Sequence, residues 1–331
     1  MPRIAFFPDS FHEVNGVAHT ARHFVAFAQR REIPMLCVRA GGLEDKLVQQ
    51  GSVGILQLDR GYWAVRVEQD LSFDPFFFRH TQAIGKALRR FRPDIIHITG
   101  PSELGLLGAV YAWRLGVPLA ASWHTNVHEY ASRRLVHNTQ RLGPASHRLG
   151  HAAEVAALAV AARLYRRATV LYAPNPPLCE LLQKRTGRPC HPMQRGVNTV
   201  LFDPAKRTRT AGTPLTLGFV GRLSVEKNVA LLPQVHRELV SGGISPHWLI
   251  VGHGSEERFL RQQLGTAATF TGVLRGEALA AAYANMDLLV FPSHTDTFGN
   301  VVLEALASGV PAIVTPNGGP SHIVQHGVTG M

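Results

Sequence analysis

The sequence has few cysteines and no long apolar run. Its three cysteines, Cys37, Cys179 and Cys190, form no CxxC pair, so they predict neither a disulfide framework nor a zinc site. No apolar stretch approaches the roughly 18 to 20 residues that a membrane-spanning helix needs. The start, MPRIAFFPDSF, lacks the length and cleavage pattern of a signal peptide. We therefore expect a cytoplasmic protein, and attachment to the inner face of the membrane stays an open option.

Acidic residues are also scarce, since 23 Asp and Glu stand against 34 Lys and Arg, a formal net charge of +11. This balance favours an anionic partner. No zinc-finger spacing, RNP-like aromatic stretch or basic zipper is present, which argues against nucleic acid. The densest basic region, residues 131–170, holds seven arginines and one acid, Glu154. It predicts contact with an anionic membrane surface, and a solvated helix face is the alternative.

Apolar, β-rich runs separated by helical stretches recur along the chain and predict an α/β fold with parallel sheets. In the first half they are residues 3–7, 35–40, 94–99, 117–122 and 168–173, and in the second half 215–221, 247–252, 268–272, 287–293 and 310–315. Between the halves, residues 198–214 have no strong helix or strand pattern. The predicted division is a domain of residues 1–197, a linker of residues 198–214 and a domain of residues 215–331.

Polar residues follow several predicted strands directly, where open parallel sheets bind ligands. After the first strand of the second domain come Gly221 and Arg222, with Lys227 five residues later. A glycine lets the backbone approach a ligand, arginine can fork across phosphate oxygens, and lysine adds a compact charge. This arrangement predicts a diphosphate clamp, although isolated surface charges would have the same spacing.

The segment SHTDTFGNVVLEALASGVPAIVTPNGGP, residues 293–320, places Asp296 in a loop and Glu304 inside the helix that follows. Free N–H groups at Gly299, Asn300 and Val301 would present the positive end of this helix to an anion. The two carboxylates would accept hydrogen bonds from hydroxyl groups. An anionic centre with polyols on both sides describes a nucleotide sugar.

Together these stretches resemble a known family. GRLSVEKN, IVGHG, FTGVL, residues 287–315 and the GGP turn follow one another as in the retaining glycosyltransferases of family 4. The sequence is similar above all to bacterial mannosyltransferases and glycolipid glycosyltransferases, over nearly its whole length. The resemblance implies a GT-B fold, in which two Rossmann-like parallel-sheet domains face each other across a cleft.

The resemblance also implies roles for individual residues. In the family an EX7E motif gives one carboxylate to the donor sugar and one to the ribose, roles that fall to Asp296 and Glu304. Asp296 is one methylene shorter than the usual glutamate, which leaves the hexose open. Arg222 and Lys227 would bind the diphosphate. The other implied donor-binding residues are Gly272, Val273 and Leu274 at the base, and Phe298, Gly299, Asn300 and Val301 at the phosphate and sugar.

In the first domain, Asn15 and Gly16 match the flexible loop at the family's reaction centre, so Gly16 is a further donor-binding candidate. His124, in ASWHTNVHEY, matches a His-Thr position beside the transferred sugar and is the third catalytic candidate with Asp296 and Glu304. Glu103 is expected to shape the acceptor side. Arg195 to Asn198 resemble a segment at the domain junction, where Asn198 is expected to act as a cap.

The implied reaction is transfer of a hexose, such as mannose, from a GDP- or UDP-sugar to a hydroxyl of a lipid or glycan acceptor. No DxD motif is present, so we expect no metal and no cofactor beyond the donor substrate. A related activity with a sugar-phosphate or sucrose-type acceptor, a non-catalytic nucleotide-sugar or polyanion binder on this scaffold, and a nucleic-acid binder are the alternatives. Since GGPSHIVQHGVTGM ends where relatives continue with a strand and helices, we expect a fragment or a variant of reduced stability.

Overall fold

The computed structural model describes residues 1–12, 16–42, 45–62, 64–68, 71–124, 144–210 and 214–331. The chain divides into two compact α/β units, as the repeated strand and helix pattern predicts. The described residues of unit 1 lie within Met1–His128 and Ala152–Met193, and those of unit 2 within Glu129–His151 and Gln194–Met331.

Unit 1 is built on an eight-stranded sheet in the order β10-β9-β8-β7-β1-β2-β4-β3, while β5 and β6 pair separately. The strands are β1 (Ile4–Phe7), β2 (Met35–Gly42), β3 (Lys46–Gln50), β4 (Val53–Asp59), β5 (Val65–Glu68), β6 (Leu71–Phe73), β7 (Ile95–Ile98), β8 (Leu119–Ser122), β9 (Val170–Ala173) and β10 (Cys190–Pro192). The helices are α1 (Gly16–Arg30), α2 (Thr81–Phe91), α3 (Glu103–Leu115), α4 (Pro144–Tyr165) and α5 (Pro176–Thr186). The start of α4, as far as His151, is assigned to unit 2. All five predicted strands are present.

Helices cover both faces of this sheet, which explains why its central strands are apolar without interruption. Phe6 points into the core that lies under α1, and Phe7, its neighbour, points into the core under α2, α3 and α5. This alternation is the period of two that a strand imposes. The edge strand β3, which sequence reasoning missed, runs antiparallel to β4 and is mostly exposed. Its exposed polar side chains give no apolar signal.

Capped helices bring polar residues to the carboxyl ends of these strands. The Ser102 hydroxyl accepts a hydrogen bond from the Gly105 N–H at 3.2 Å and caps α3. The Asn175 side chain accepts one from the Leu178 N–H at 3.0 Å and caps α5. Such caps satisfy N–H groups that a helix leaves unpaired and fix where each helix leaves its strand.

Unit 2 is a five-stranded, wholly parallel sheet in the order β13-β12-β11-β14-β15. Its strands are β11 (Thr216–Val220), β12 (His247–Val251), β13 (Ala268–Gly272), β14 (Leu288–Phe291) and β15 (Ala312–Val314). Its helices are α6 (Leu231–Ser241), α7 (Glu257–Leu264), α8 (Gly276–Ala284) and α9 (Asn300–Ala307). All five strands predicted for the second half are present, and the core between them holds Trp248, Phe219 and Phe291.

The described part of the predicted linker, residues 198–210, belongs to unit 2, which begins at Gln194. Arg207 and Arg209 both form ion pairs with Asp287. Burial raises the pKa of Asp287, but hydrogen bonds from the Thr216 N–H and both arginines outweigh this effect and bring the pKa down to about 2. Side-chain contacts, rather than a strand or a long helix, hold this segment in place.

No helix among the described residues combines the length and apolar character required to cross a membrane.

Candidate active site

In unit 2, the loop after β14 and the GGP turn pack backbone against backbone. The Gly319 N–H donates to the Asp296 carbonyl at 2.7 Å. A Cβ on Gly319 would lie 2.1 Å from the Thr297 carbonyl carbon, and one on Gly299 would lie 2.9 Å from Pro320. Gly299 also has a φ of 100°, which favours glycine. Gly299 and Gly319 are therefore required to bring these two loops together.

Lys227 and Asp296 form the central ion pair of this site. The Lys227 Nζ donates to both carboxylate oxygens of Asp296 at 2.7 Å, and each side chain is less than one-fifth exposed. Lys227 lies in the 3-10 turn Val225–Lys227 after β11, whereas Asp296 follows β14. The structure thus brings Lys227, predicted to bind the diphosphate, into contact with Asp296, predicted to bind the sugar.

Arg195 is a partly buried cation beside this pair, and sequence reasoning gave it no donor role. Its Nη1 donates to the Asn300 side-chain oxygen at 3.3 Å, and its guanidinium lies 5.6 Å from the centre of the Phe298 ring. Burial lowers the pKa of Arg195 to about 10, while the charge of Asp296 opposes this shift. Phe298, predicted as a donor-binding residue, is itself buried, and its ring supports the arginine.

Glu304 lies in α9 and is largely buried. The Tyr283 hydroxyl of α8 donates to its Oε2 at 2.8 Å. Burial raises the pKa of Glu304 to about 7, although the hydrogen bond from Tyr283 opposes this rise. Tyr283 is a functional candidate that sequence reasoning missed, because nothing in AAAYANMD marks a tyrosine that reaches a glutamate 21 residues away.

The loops after β11 and β12 also meet through glycines. A Cβ on Gly252 would lie 1.9 Å from the Gly221 carbonyl oxygen, and one on Gly254 would lie 2.2 Å from the Leu223 carbonyl oxygen. Arg222 extends from this contact and is about one-third exposed, with its Nη1 4.0 Å from Glu226. The Arg222 side chain is therefore more exposed to solvent than that of Lys227.

The predicted base-binding stretch ends β13. The Gly272 carbonyl accepts a hydrogen bond from the Gly252 N–H at 2.8 Å. Gly272 has a φ of 70°. The Val273 side chain is partly exposed, whereas Leu274 packs against the core of unit 2. Backbone groups of this stretch are thus better placed to contact a ligand than the Leu274 side chain.

In unit 1, His124 follows β8 and is buried. Its Nε2 lies 2.8 Å from the Ser122 hydroxyl oxygen, which is 3.0 Å from His97 Nε2. Burial lowers the pKa of His97 to about 4, so this imidazole is neutral near pH 7. The serine hydroxyl thus links the predicted catalytic histidine to a second, deeper histidine.

Two carboxyl groups lie at the same end of the unit 1 sheet. The Ser102 hydroxyl donates to Asp9 Oδ1 at 2.5 Å, and the Asp9 N–H donates to Thr99 Oγ1 at 2.8 Å. Burial raises the pKa of Asp9 to about 7, with the Ser102 hydrogen bond opposing it. Glu103, expected on the acceptor side, is largely buried and lies 3.4 Å from Arg60, and burial raises its pKa too.

Two predicted features fall partly outside the described residues. Gly16 is the first residue of α1 and is exposed, but its neighbour Asn15 is not described. Within the basic region 131–170, Arg133, Arg134 and Arg141 are also not described, and neither is the side chain of Arg148. Arg163, Arg166 and Arg167 are exposed, and Arg166 donates to the Arg185 carbonyl. The membrane role of this region stays a prediction.

One cluster in unit 1 has metal-ligand chemistry. Asp45, Asp59 and His80 present ligand atoms within 4.8 Å of one another. His80 Nδ1 lies 3.0 Å from Asp45, and Arg79 forms an ion pair with Asp59 at 3.3 Å. The guanidinium opposes a bound cation, so we interpret the cluster as an internal charge network.

Comparison with known families places each half of the chain in a family. Residues 14–201 match the family described as Glycosyltransferase Family 4, and residues 214–331 match the one described as Glycosyl transferases group 1. The chain belongs to glycosyltransferase family 4. The resemblance seen in the sequence is therefore confirmed.

Characterised relatives of this family 4 chain include a GDP-mannose-dependent alpha-mannosyltransferase of Mycobacterium tuberculosis, 36% identical over 74% of this chain and 61% of the relative. The corresponding protein of Corynebacterium glutamicum is 32% identical over 75% of this chain and 57% of its own length. A sulfoquinovosyl transferase of Arabidopsis thaliana is 28% identical over 99% of this chain and 63% of its length. The chain spans about three-fifths of these relatives.

Solved structures agree on the fold. Sucrose-phosphate synthase of Thermosynechococcus elongatus aligns with a TM-score of 0.71 at 19% identity, over 100% of this chain and 85% of that one. The catalytic domain of starch synthase IV from Arabidopsis thaliana aligns with a TM-score of 0.66 at 13% identity, over 99% and 85%. Two parallel-sheet units with these neighbours confirm the predicted GT-B fold.

Proposed function

We propose that this chain carries the catalytic machinery of a retaining glycosyltransferase, which moves a hexose from a nucleoside diphosphate sugar to a hydroxyl acceptor. The observation that most directly supports this function is the ion pair of Lys227 with Asp296, in the loop that leads into α9, the helix that holds the buried Glu304. A phosphate-binding cation and two hydroxyl-binding carboxylates then serve one ligand. In this proposal Asp296 receives the sugar hydroxyls and Glu304 the ribose hydroxyls.

The proposed donor is a GDP-sugar with mannose, because relatives at 32 to 37% identity are named GDP-mannose-dependent alpha-mannosyltransferases. UDP-sugars are the alternative donors. The proposed acceptor is a lipid or glycan hydroxyl, with residues 131–170 contacting an anionic membrane surface. Backbone groups at Gly272 and Val273 would face the base, and those at Gly299, Asn300 and Val301 the phosphate and sugar.

The leaving group of this reaction is a nucleoside diphosphate, so the chemistry requires fixed positive charge where negative charge develops. Arg222, Lys227 and the amino-terminal end of α9 would supply it, which supports a reaction without metal or cofactor. When the diphosphate replaces Asp296 at the Lys227 ammonium, the freed carboxylate can accept the sugar hydroxyls. His124 and Gly16, in unit 1, would contact the transferred sugar.

The test is a panel of GDP- and UDP-sugars screened by thermal shift, followed by product analysis with the donor that stabilises the chain most. We expect a hexosyl product with the donor's anomeric configuration, and turnover that survives EDTA. Donor binding without turnover or hydrolysis under any condition would instead indicate a non-catalytic binder. Inverted products would overturn the retaining assignment, and activity restored only by added metal would overturn the metal-free one.

A further inference from the structure

Ser122, the last residue of β8, places a fully buried hydroxyl between two imidazole rings. His97 of β7 pairs with Ala120 of β8, and Ser122 lies two residues further along, so His97 and Ser122 share one face of the sheet. The Ser122 Oγ lies 3.0 Å from His97 Nε2 and 2.8 Å from His124 Nε2. The three side chains form a continuous hydrogen-bonded row, which we call the His97–Ser122–His124 row.

His97, at the inner end of this row, is packed among aromatic rings. The centre of its imidazole lies 5.4 Å from that of Phe6 on β1, 6.1 Å from that of Phe24 on α1 and 6.3 Å from that of Tyr172 on β9. Burial lowers the pKa of His97 to about 4, so the ring is neutral near pH 7. A neutral imidazole has one N–H donor and one acceptor nitrogen. His97 therefore serves the row as a fixed hydrogen-bonding partner rather than as a cation.

The Ser122 hydroxyl has a single proton to donate, and this limits how the row is hydrogen bonded. The Ile98 carbonyl is another acceptor near this hydroxyl, but its distance of 3.5 Å exceeds the usual length of an O–H···O bond, about 2.5 to 3.0 Å. The proton is therefore directed to one imidazole, and the other imidazole donates its Nε2–H to the serine oxygen. When both rings are neutral, one carries its proton on Nε2 and the other on Nδ1.

We propose that Ser122 and His97 are positioning residues, which hold the His124 imidazole in one orientation and set the nitrogen that carries its proton. The hydrogen bond at one ring nitrogen of a histidine decides whether the other nitrogen donates or accepts. A group that is oriented before a ligand arrives needs no rearrangement during the reaction. The importance of this row for turnover rests on the proposed function, in which His124 contacts the transferred sugar.

Nitrogen-15 NMR of the imidazoles tests the arrangement without any donor. We would record long-range proton–nitrogen correlations at pH 8 and assign the two rings from the signals that disappear in His97→Phe and in His124→Gln. The expected result is one tautomer for each ring, with the proton on Nε2 in one and on Nδ1 in the other. Comparable populations of both tautomers at His124, or Nε2 protonation of both rings, would overturn the proposal.

Matched variants separate the hydrogen bonds from the shape of the site. Ser122→Cys keeps a side chain of similar size but offers only a weak hydrogen-bonding group, and His97→Phe keeps a ring against Phe6 but loses the nitrogens. Both variants should shift the imidazole nitrogen resonances of His124. The control is His191→Phe, because His191 of β10 is exposed and its ring lies beside Tyr172 at 6.4 Å. This control should leave the His124 resonances in place.

Kinetics then test the role in the proposed reaction. Ser122→Cys and His97→Phe should each lower kcat by about tenfold, the effect of one lost hydrogen bond. The affinity for nucleoside diphosphate should stay unchanged, because the cations proposed to bind it, Arg222 and Lys227, lie in unit 2. His191→Phe should keep the native kcat.

Three results would contradict the positioning role. The His124 resonances would stay in place in Ser122→Cys and His97→Phe, or they would move as much in His191→Phe, or they would move as expected while kcat kept its native value. A native chain that transfers no hexose from any donor would instead refute the proposed function. The NMR spectra would still decide whether Ser122 and His97 hold His124, so the two failures are distinguishable.

Discussion

Units 1 and 2 share one architecture but build the carboxyl ends of their sheets in different ways. In unit 2 the loops are packed backbone on backbone, through Gly252, Gly254 and Gly319, and they hold the largely buried Lys227–Asp296 ion pair. In unit 1 the loops are held by buried side chains, among them Asp9 with Ser102 and His124 with Ser122. The first arrangement fixes geometry mainly by close backbone contact and the second mainly by hydrogen bonds, although a Cβ on Gly105 in unit 1 would also lie 1.9 Å from the Gly100 carbonyl oxygen.

The difference has a functional meaning under the proposed activity. A diphosphate needs rigid backbone and fixed cations, and close glycine packing provides both. The buried groups with shifted pKa values in unit 1, such as Asp9 and His97, respond to protonation instead. Substitutions in unit 2 glycines should therefore act independently of pH, whereas substitutions in unit 1 should depend on it.

The largest expected effect is on turnover, from Asp296→Asn. Removing the carboxylate removes the proposed sugar ligand, so we expect turnover to fall by about 100-fold or more. Because Lys227 then loses its carboxylate partner, the affinity for free nucleoside diphosphate should stay the same or rise. Steady-state kinetics and calorimetric titration with the diphosphate measure the two effects separately.

Asp203→Asn is the control for this change, because Asp203 lies outside the predicted donor-binding residues and accepts a hydrogen bond from the Ala205 N–H that an asparagine can also accept. It should leave both measurements unchanged. Diphosphate affinity that falls in parallel with turnover would show that Asp296 stabilises the diphosphate site instead of competing for Lys227.

Gly319→Ala tests the steric half of the comparison. The added Cβ would meet the Thr297 carbonyl at 2.1 Å, and neither backbone can yield without moving Asp296. We expect a loss of about 3 kcal/mol in the free energy of unfolding, at the upper end for overpacking. Thermal denaturation at several pH values should give the same loss throughout.

Two glycines serve as controls for Gly319→Ala. Gly196→Ala, where the Cβ would meet nothing within 4 Å, should be near neutral. Gly100→Ala in unit 1 would place its Cβ 1.8 Å from the Asp9 carboxylate, a side chain that can rotate. If Gly100→Ala lowers the free energy of unfolding as much as Gly319→Ala does, the distinction between backbone and side-chain packing is wrong.

The sequence was informative where local pattern carries the structure. All ten predicted strands are found, because each buried parallel strand is an apolar run. The position of Asp296 after β14 follows from the strand alone, and the GGP turn is recognisable because close backbone contact requires glycine. Side-chain pairs distant in sequence give no such signal. The hydrogen bonds between Tyr283 and Glu304 and between Arg195 and Asn300 could therefore be found only in the structure.

The third prediction concerns Glu304, the pH-sensitive group of unit 2. Its pKa of about 7 in the folded chain exceeds that of a free glutamate, about 4.3. The protonated Glu304 therefore makes its full contribution to the free energy of unfolding below about pH 4.3, and this contribution is lost as the pH rises through 7. Without donor, Glu304→Gln should therefore be more stable than the native chain at pH 8, on the order of 2 kcal/mol, and similar at pH 4.5.

Denaturant titrations at the two pH values measure this difference, with the exposed Glu238→Gln as the control that should not change. The same Glu304→Gln variant should lose turnover, since an amide replaces the proposed ribose ligand. A stability gain that is equal at both pH values would rule out the buried carboxylate as its cause.

The smallest effect is expected from Ser102→Ala, which tests the hydrogen-bonded half of the comparison. Its hydroxyl both caps α3 and donates to Asp9, and loss of a cap costs about 1 kcal/mol. Because this hydrogen bond holds the pKa of Asp9 down, its removal penalises the charged carboxylate, so the loss of stability should be larger at pH 8 than at pH 5. Ser241→Ala, which removes a hydroxyl bonded to the Glu238 carbonyl on the surface, should show a smaller loss and no pH dependence. A Ser102→Ala loss that is constant with pH would mean that the cap alone matters and that Asp9 is not held by this hydroxyl.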